Sequence, residues 1–221
     1  MVKNKSVILT TRIASFILVL LGIVSICGGF KGTWDWSLFM YYTIQSNTLV
    51  LMLFGYLIIK TIINIRTGSE SIDQTKDFEM VCMIDMFLTF FVYWTMLAPT
   101  MTKVWKFSNI AVHGITPLLC IFDYIMYYQN DRLRYRTVYY SLIFPMLYII
   151  MNSVIGLLGY TYYVDRTGNP VHFPYFFMDY DRLGLKTIPF ILGLVLFMVC
   201  ISNLVYGIDK YILKTNTAKD K

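Results

Sequence analysis

The sequence has little charge for its length. Asp, Glu, Lys and Arg make up 14% of its 221 residues, whereas a soluble domain usually carries about 25%. This deficit excludes a chain whose whole surface faces water. The mean hydropathy of +0.59 indicates instead that most of the protein is solvated by lipid.

The sequence also lacks the residue patterns of metal, nucleotide and haem sites. Its four cysteines, Cys27, Cys82, Cys120 and Cys200, lie in apolar runs without a CxxC pair, so they are predicted to be buried apolar residues. There is no nucleotide-binding glycine loop, and no cofactor or metal is expected. The net charge of +6 does not predict a nucleic-acid partner, because the basic residues flank the apolar runs.

Long apolar runs dominate the chain, and about 20 such residues suffice to span a membrane as a helix. Six runs are long enough, which predicts an all-α integral membrane bundle that occupies residues 1–221 as a single transmembrane domain. The first run exceeds the roughly 7–15 apolar residues of a signal peptide, so it is predicted to be a retained helix. The predicted helices are Ile8–Gly29, Leu38–Ile65, Met80–Met101, Asn109–Tyr128, Val138–Tyr160 and Ile188–Leu213.

The distribution of basic residues predicts the orientation. With the N-terminus inside, 13 of the 19 Lys and Arg residues fall on the cytoplasmic side. The positive-inside rule therefore places both termini in the cytoplasm, and we expect a multi-pass protein of the cell membrane. The last outer segment, 161–187, is rich in aromatic residues. It is either an interfacial belt, the more favoured alternative, or a lid over the mouth of the bundle.

Polar residues at membrane depth are candidates for function. An outer group combines Thr43, on the second helix, with His113, on the fourth, at a similar predicted depth of roughly 6–8 Å. Gln45, Ser46, Asn47 and Asn152 belong to the same group. An inner group contains Asp85, Asp123 and Asn203. Ten residues separate His113 from Asp123, which amounts to about 15 Å along a helix and excludes a direct bond between them.

The outer group suits acyl transfer. A Thr hydroxyl is a weak nucleophile that needs a base within hydrogen-bond reach, and a neutral His is a suitable base near pH 7. The side chains of Gln45, Ser46, Asn47 and Asn152 could orient the substrate or donate to a developing oxyanion. The alternative is structural: a Thr in a membrane helix commonly bonds its own backbone or a neighbouring helix. The inner polar residues, Asp85, Asp123 and Asn203, are interpreted as structural.

Three short segments carry a family resemblance: residues 42–47 (YTIQSN), 112–124 (VHGITPLLCIFDY) and 172–176 (HFPYF). They resemble the androgen-induced-gene and androgen-dependent TFPI-regulator family, most closely its bacterial members, across nearly the whole chain. The animal members are membrane threonine hydrolases that cleave fatty acid esters of hydroxy fatty acids. The resemblance implies that Thr43 is the nucleophile and His113 the base, with Asn47 and Asp123 as further motif residues.

We therefore expect a membrane-embedded hydrolase of lipid esters whose partner is a membrane lipid or lipid-like ester. Two other classes stay open at this stage. A small transporter or channel would line inner and outer vestibules with the two polar groups, although an apolar stretch separates them. A non-catalytic lipid-binding protein would bind a lipid tightly without turnover.

Overall fold

The structure is a computed structural model that describes residues 4–68, 76–127 and 133–219, with side chains up to Tyr211. Six helices are long and apolar enough to cross a membrane, which confirms the predicted all-α, multi-pass architecture. Four are α1 (Lys5–Ile26), α2 (Tyr42–Thr67), α5 (Arg136–Leu157) and α6 (Thr187–Lys219). The other two are α3 (Lys76–Thr100) and α4 (Phe107–Met126), and each of them contains a π-helical turn.

The second helix begins four residues later than predicted. The residues Trp36–Met40 form a 3-10 helix, whose first turn is capped by the Asp35 carboxylate at the Ser37 N–H, 2.9 Å away. The chain extends at Tyr41, and α2 then begins at Tyr42. Thr43 is therefore the second residue of α2, in the first turn, where backbone N–H groups have no partner within the helix.

Helix α3 lies at the centre of the bundle, in contact with α2, α4, α5 and α6, while α1 packs against α2 and α4. Its central position explains why most of its middle residues are buried although α1 and α6 expose much of their apolar surface to lipid. Buried core side chains along α3 include Met80, Cys82, Met83, Ile84, Met86 and Leu88. The prediction for the cysteines was right for Cys27, Cys82 and Cys120, which are buried, and wrong for Cys200, which is exposed on α6.

The segment between α5 and α6 folds back onto the bundle. Its two short antiparallel strands, β1 (Tyr163–Val164) and β2 (Pro170–Val171), form a hairpin. The residues that follow bury apolar side chains in the core: Phe173, Phe177 and Met178 are each at most 5% exposed. Packing of this kind is expected of a lid, the less favoured of the two alternatives above, and residues 158–186 are called the lid segment below.

Within the described ranges, two buried ion pairs join helices of the bundle, one between α1 and α4 and one between α3 and α6. Arg12, on α1, binds both carboxylate oxygens of Asp123, on α4, at 3.0 and 3.1 Å, and also donates to Thr61 Oγ1. Both partners are 6% exposed. Lys76 and Asp209 form a second buried pair, 2.5 Å apart, between α3 and α6. Removing one partner of such a pair is strongly destabilising, because the other charge is then left buried without compensation.

Candidate functional site

Thr43 and His113 meet where α2 begins beside α4. Thr43 Oγ1 lies 3.0 Å from His113 Nε2, although 70 positions separate the two residues. Thr43 is 8% exposed and His113 is 7% exposed, so the pair is shielded within the protein. The proximity expected from their predicted depths is thus present. His113 is the seventh residue of α4 and Thr43 the second of α2, so α2 begins deeper in the bundle, by roughly 7 Å.

The second ring nitrogen of His113 indicates the direction of the hydrogen bond. His113 Nδ1 lies 3.1 Å from the backbone carbonyl oxygen of Asn109, one helical turn earlier. A carbonyl oxygen can only accept, so Nδ1 carries the proton in the neutral ring. Nε2 is then the unprotonated nitrogen, and the Thr43 hydroxyl donates to it. This is the tautomer that a general base for Thr43 requires.

The backbone around His113 is π-helical from Ala111 to Ile115. Pro117 lies two residues after this turn, and its ring nitrogen cannot donate to the carbonyl four residues earlier, which is that of His113. The indole Nε1–H of Trp94 bonds this carbonyl instead, at 3.0 Å. Pro117 therefore leaves the His113 carbonyl oxygen available as an acceptor, and the bond from Trp94 joins α3 to the His113 segment of α4. Turns of π-helix occur frequently at functional sites.

The Tyr93 ring packs against one face of the His113 imidazole. Tyr93 begins the π-helical turn of α3, Tyr93–Leu97, and its ring stacks on the His113 imidazole with centroids 3.6 Å apart and planes 12° apart. Tyr93 is only 2% exposed, and its hydroxyl has no hydrogen-bond partner among the described residues. The sequence analysis did not identify Tyr93, because it lies within an apolar and aromatic run without a polar periodicity.

A cavity of about 60 Å³ opens beside Thr43. A cavity needs a volume of roughly 10–15 Å³ to hold one water molecule, so this cavity has room for only a few small groups. Its walls come from α2, α3, α5, α6 and the lid segment, and they are almost entirely apolar. The residues nearest the chemistry are Tyr42, Thr43, Tyr93 and Tyr175, with aliphatic residues of α5 and α6 opposite. Thr43 therefore lies at the edge of an almost entirely apolar cavity.

The four residues predicted to orient substrate already bond within the protein. Ser46 donates from Oγ to the Thr43 carbonyl and lies 3.0 Å from Thr89 Oγ1, and Gln45 Nε2 donates to the Phe39 carbonyl. Asn152 Nδ2 donates to the Tyr148 carbonyl, and its oxygen accepts from the Tyr162 hydroxyl. An orienting role for these side chains stays a prediction.

Asn47 connects the two halves of the candidate site. Its amide Nδ2 donates to the Thr43 carbonyl at 2.7 Å and to the Val112 carbonyl of α4 at 3.0 Å. One side chain thus fixes the backbone beside the Thr43 hydroxyl and the backbone beside the His113 ring. Asn47 is completely buried, and its Oδ1 has no partner within the described part of the chain.

The predicted structural residues lie outside the Thr43–His113 contact. Asp85 accepts from the Tyr42 hydroxyl at 3.0 Å, and Asn203 accepts from Tyr135 at 3.3 Å. Asp123 pairs with Arg12, on α1. In the described ranges, no group of three or more His, Cys, Asp or Glu side chains could hold a metal ion.

The lid segment reaches the candidate site through Tyr175. Its hydroxyl lies beside the Thr43 hydroxyl and the backbone N–H groups of Tyr42 and Thr43, at the start of α2. Burial raises the pKa of Tyr175. The hydrogen bonds from Thr43 and from the Tyr42 backbone partly offset this rise in the pKa, because they stabilise the phenolate. Tyr175 also lines the cavity, so the lid segment forms part of its wall.

No family model, curated protein or solved structure matches this chain. The candidate site therefore rests on its own geometry.

Proposed function

We propose that this protein is a hydrolase of lipid esters, embedded in the cell membrane, with Thr43 as its nucleophile and His113 as its general base. The observation that carries this proposal is the 3.0 Å contact between Thr43 Oγ1 and the unprotonated Nε2 of His113, beside an apolar cavity. The resemblance to the androgen-induced-gene family implies the same two residues, although no family model matches the chain. Fatty acid esters of hydroxy fatty acids are the substrate class implied by that resemblance.

The reaction proceeds in two steps. Thr43 Oγ attacks the ester carbonyl carbon while its proton passes to His113 Nε2, and collapse of the tetrahedral intermediate breaks the bond to the leaving alcohol, which takes up that proton. His113 then removes a proton from water, which attacks the acyl-threonine. The second intermediate collapses to a free fatty acid, and the proton returns to Thr43.

Several features of the site favour this chemistry. The bond between Nδ1–H and the Asn109 carbonyl holds the imidazole in the basic tautomer, and the Tyr93 ring fixes its plane. Thr43 lies in the first turn of α2, where the helix dipole favours negative charge that develops on the substrate. The apolar walls of the cavity suit the few carbon atoms next to an ester carbonyl, and apolar surroundings strengthen the electrostatic interactions beside it.

A non-catalytic lipid-binding protein is the second candidate, and one observation favours it. An apolar groove of about 500 Å³ lies between α3, α4 and α6, lined by Phe87, Ile121 and Ile201 among others. A groove of this size could hold a lipid chain without any contact to Thr43. Transport is less favoured, because the cavity beside Thr43 is almost entirely apolar.

Labelling with a fluorophosphonate, which traps activated hydroxyl nucleophiles, tests the proposal. Purified wild type, Thr43→Val and His113→Ala are compared after each is shown to be folded by size-exclusion chromatography. We expect labelling at Thr43 in the wild type and loss of labelling in both variants. Labelling that persists in Thr43→Val contradicts the nucleophile. A folded wild type that neither reacts nor hydrolyses esters, but retains lipid through purification, supports the lipid-binding alternative.

A further inference from the structure

The Tyr93 hydroxyl is a buried polar group with no assigned partner. The Tyr93 side chain is 2% exposed, and its oxygen makes no hydrogen bond to any described residue. Buried tyrosine hydroxyls usually have a partner, because an unpaired one loses its hydrogen bonds to water without replacement. A position that retains such a group is a candidate for binding a ligand.

The surroundings of Tyr93 point to the class of ligand. Its ring stacks on the imidazole of His113, and its side chain lines the same cavity as Thr43. The Tyr93 hydroxyl oxygen is itself buried, and it can donate one hydrogen bond to a ligand group that reaches it from this apolar cavity. The fitting partner is an acceptor oxygen without strong hydration, such as an ester carbonyl, rather than a carboxylate or a phosphate.

Other hydroxyls around the cavity have partners. Tyr42 donates to Asp85, Tyr148 donates to the Met40 carbonyl, and Thr89 donates to the Asp85 carbonyl. The Tyr175 hydroxyl interacts with the side chains of Thr43 and Tyr148. The amides predicted as oxyanion donors are likewise engaged: Gln45 bonds Phe39, Asn47 bonds Thr43 and Val112, and Asn152 bonds Tyr148. Tyr93 differs from all of them because its donor is unengaged within the described chain.

We propose that the Tyr93 hydroxyl binds the carbonyl oxygen of the ester and stabilises the oxyanion that forms on it. The inference rests on the proposed function of Thr43 and His113. When Thr43 Oγ bonds to the carbonyl carbon, the carbonyl electron pair moves onto the oxygen, and the Tyr93 O–H strengthens its hydrogen bond to that oxygen without giving up its proton. The tyrosine thereby serves both parts of the site, since its ring positions the base and its hydroxyl holds the substrate.

The test is Tyr93→Phe, which removes one oxygen and retains the ring that stacks on His113. Tyr127→Phe is the matched control, because it also removes a single tyrosine hydroxyl, one that bonds Thr11 far from the cavity. The measured quantities are the rate constant of fluorophosphonate labelling, kcat and KM for a short-chain p-nitrophenyl ester, and the midpoint of thermal unfolding.

We expect Tyr93→Phe to lower both the labelling rate constant and kcat by about 100-fold, the usual loss for one oxyanion donor, with little change in KM. Its unfolding midpoint should match or exceed that of wild type, because no bond within the protein is lost. Tyr127→Phe should react at the wild-type rate. A Tyr93→Phe variant as fast as wild type overturns this inference while labelling at Thr43 leaves the proposed function standing. A folded wild type without labelling or hydrolysis overturns both.

Discussion

The hydroxyl of Thr43 and the imidazole of His113 lie 3.0 Å apart because α2 begins deep in the bundle, beside the π-helical turn of α4. A helix that began at Leu38 would place Thr43 further along its axis. Instead, residues Trp36–Met40 form a 3-10 helix, and α2 begins only at Tyr42. The start of α2 therefore determines which side chain faces the histidine.

The first prediction separates the Thr43 hydroxyl from the shape of its side chain. Thr43→Ser retains a hydroxyl and should keep measurable labelling by a fluorophosphonate, at a lower rate because the serine side chain has more rotational freedom. Thr43→Val has nearly the same shape without the hydroxyl, so it should lose labelling completely. Loss of reactivity in a folded Thr43→Ser variant would contradict the proposal that the hydroxyl is the reacting group.

The lengths of the apolar runs were sufficient to predict all six spanning helices, since a membrane-spanning helix has few alternatives. The contact between Thr43 and His113 could be expected because polar residues at membrane depth are rare and these two have similar predicted depths. Tyr93 could not, because a tyrosine within a run of aromatic residues has no distinguishing pattern before its hydroxyl is known to be unpaired. The pairing of Arg12 with Asp123 joins residues 111 positions apart, and a single sequence does not show which charges meet across helices.

The second prediction concerns Asn47, whose amide joins the Thr43 and Val112 carbonyls. Asn47→Asp has the same shape but replaces the donor with an acceptor that faces two carbonyl oxygens. We expect a loss of about 2 kcal/mol in the free energy of unfolding. We also expect slower labelling of Thr43, because the backbone segments that position the nucleophile and the base are no longer joined. Thermal unfolding and labelling rates measure the two effects.

Asn203→Asp is the matched control for this prediction, since it changes a half-buried amide that contacts Tyr135 and its own helix. It should leave the labelling rate unchanged. If Asn47→Asp loses stability while the labelling rate per folded molecule stays at the wild-type value, the amide has a structural role without positioning the site.

The third prediction tests whether the Arg12–Asp123 pair is structural. Arg12→Met leaves the Asp123 carboxylate buried without its cation, and we expect a loss of about 3–5 kcal/mol in stability. The double variant Arg12→Met/Asp123→Leu removes both charges and should recover most of that loss. Denaturation of the two variants and of wild type in the same detergent gives the comparison. Labelling of Thr43 in the folded double variant should equal wild type, and its loss would show that the pair also acts on the site.

The fourth prediction is a pH dependence in the hairpin of the lid segment. Asp165 accepts hydrogen bonds from the Thr167 side chain and from the backbone N–H groups of Thr167 and Asn169, which lowers its pKa from 3.8 to about 2. Since the folded-state value lies below the unfolded value, the stabilisation is fully present above pH 3.8 and is lost as the pH falls towards 2. Hydrogen-exchange protection of the two amides should follow this course and should be absent at every pH in Asp165→Ala.

The fifth prediction concerns the packing of the lid segment on α5. A Cβ at Gly156 would lie 2.6 Å from the His172 carbonyl oxygen and would overlap the Phe173 ring, so Gly156→Ala must displace this part of the segment. Tyr175 and Phe177 lie two and four residues after Phe173 and line the cavity beside Thr43. The displacement should therefore admit more water to the cavity. We expect a less stable protein and slower hydrolysis of apolar esters, because water weakens the electrostatic interactions on which the attack depends.

Gly207→Ala is the control for Gly156→Ala, since a Cβ at Gly207 on α6 meets nothing within 4 Å. It should be neutral or stabilising, by up to about 1 kcal/mol, because alanine is the better helix former. Equal activities for both variants would indicate that the lid segment does not shield the reaction. A loss of hydrolysis confined to Gly156→Ala, with Thr43 still labelled by a small fluorophosphonate, would place the defect in the cavity rather than in the Thr43–His113 pair.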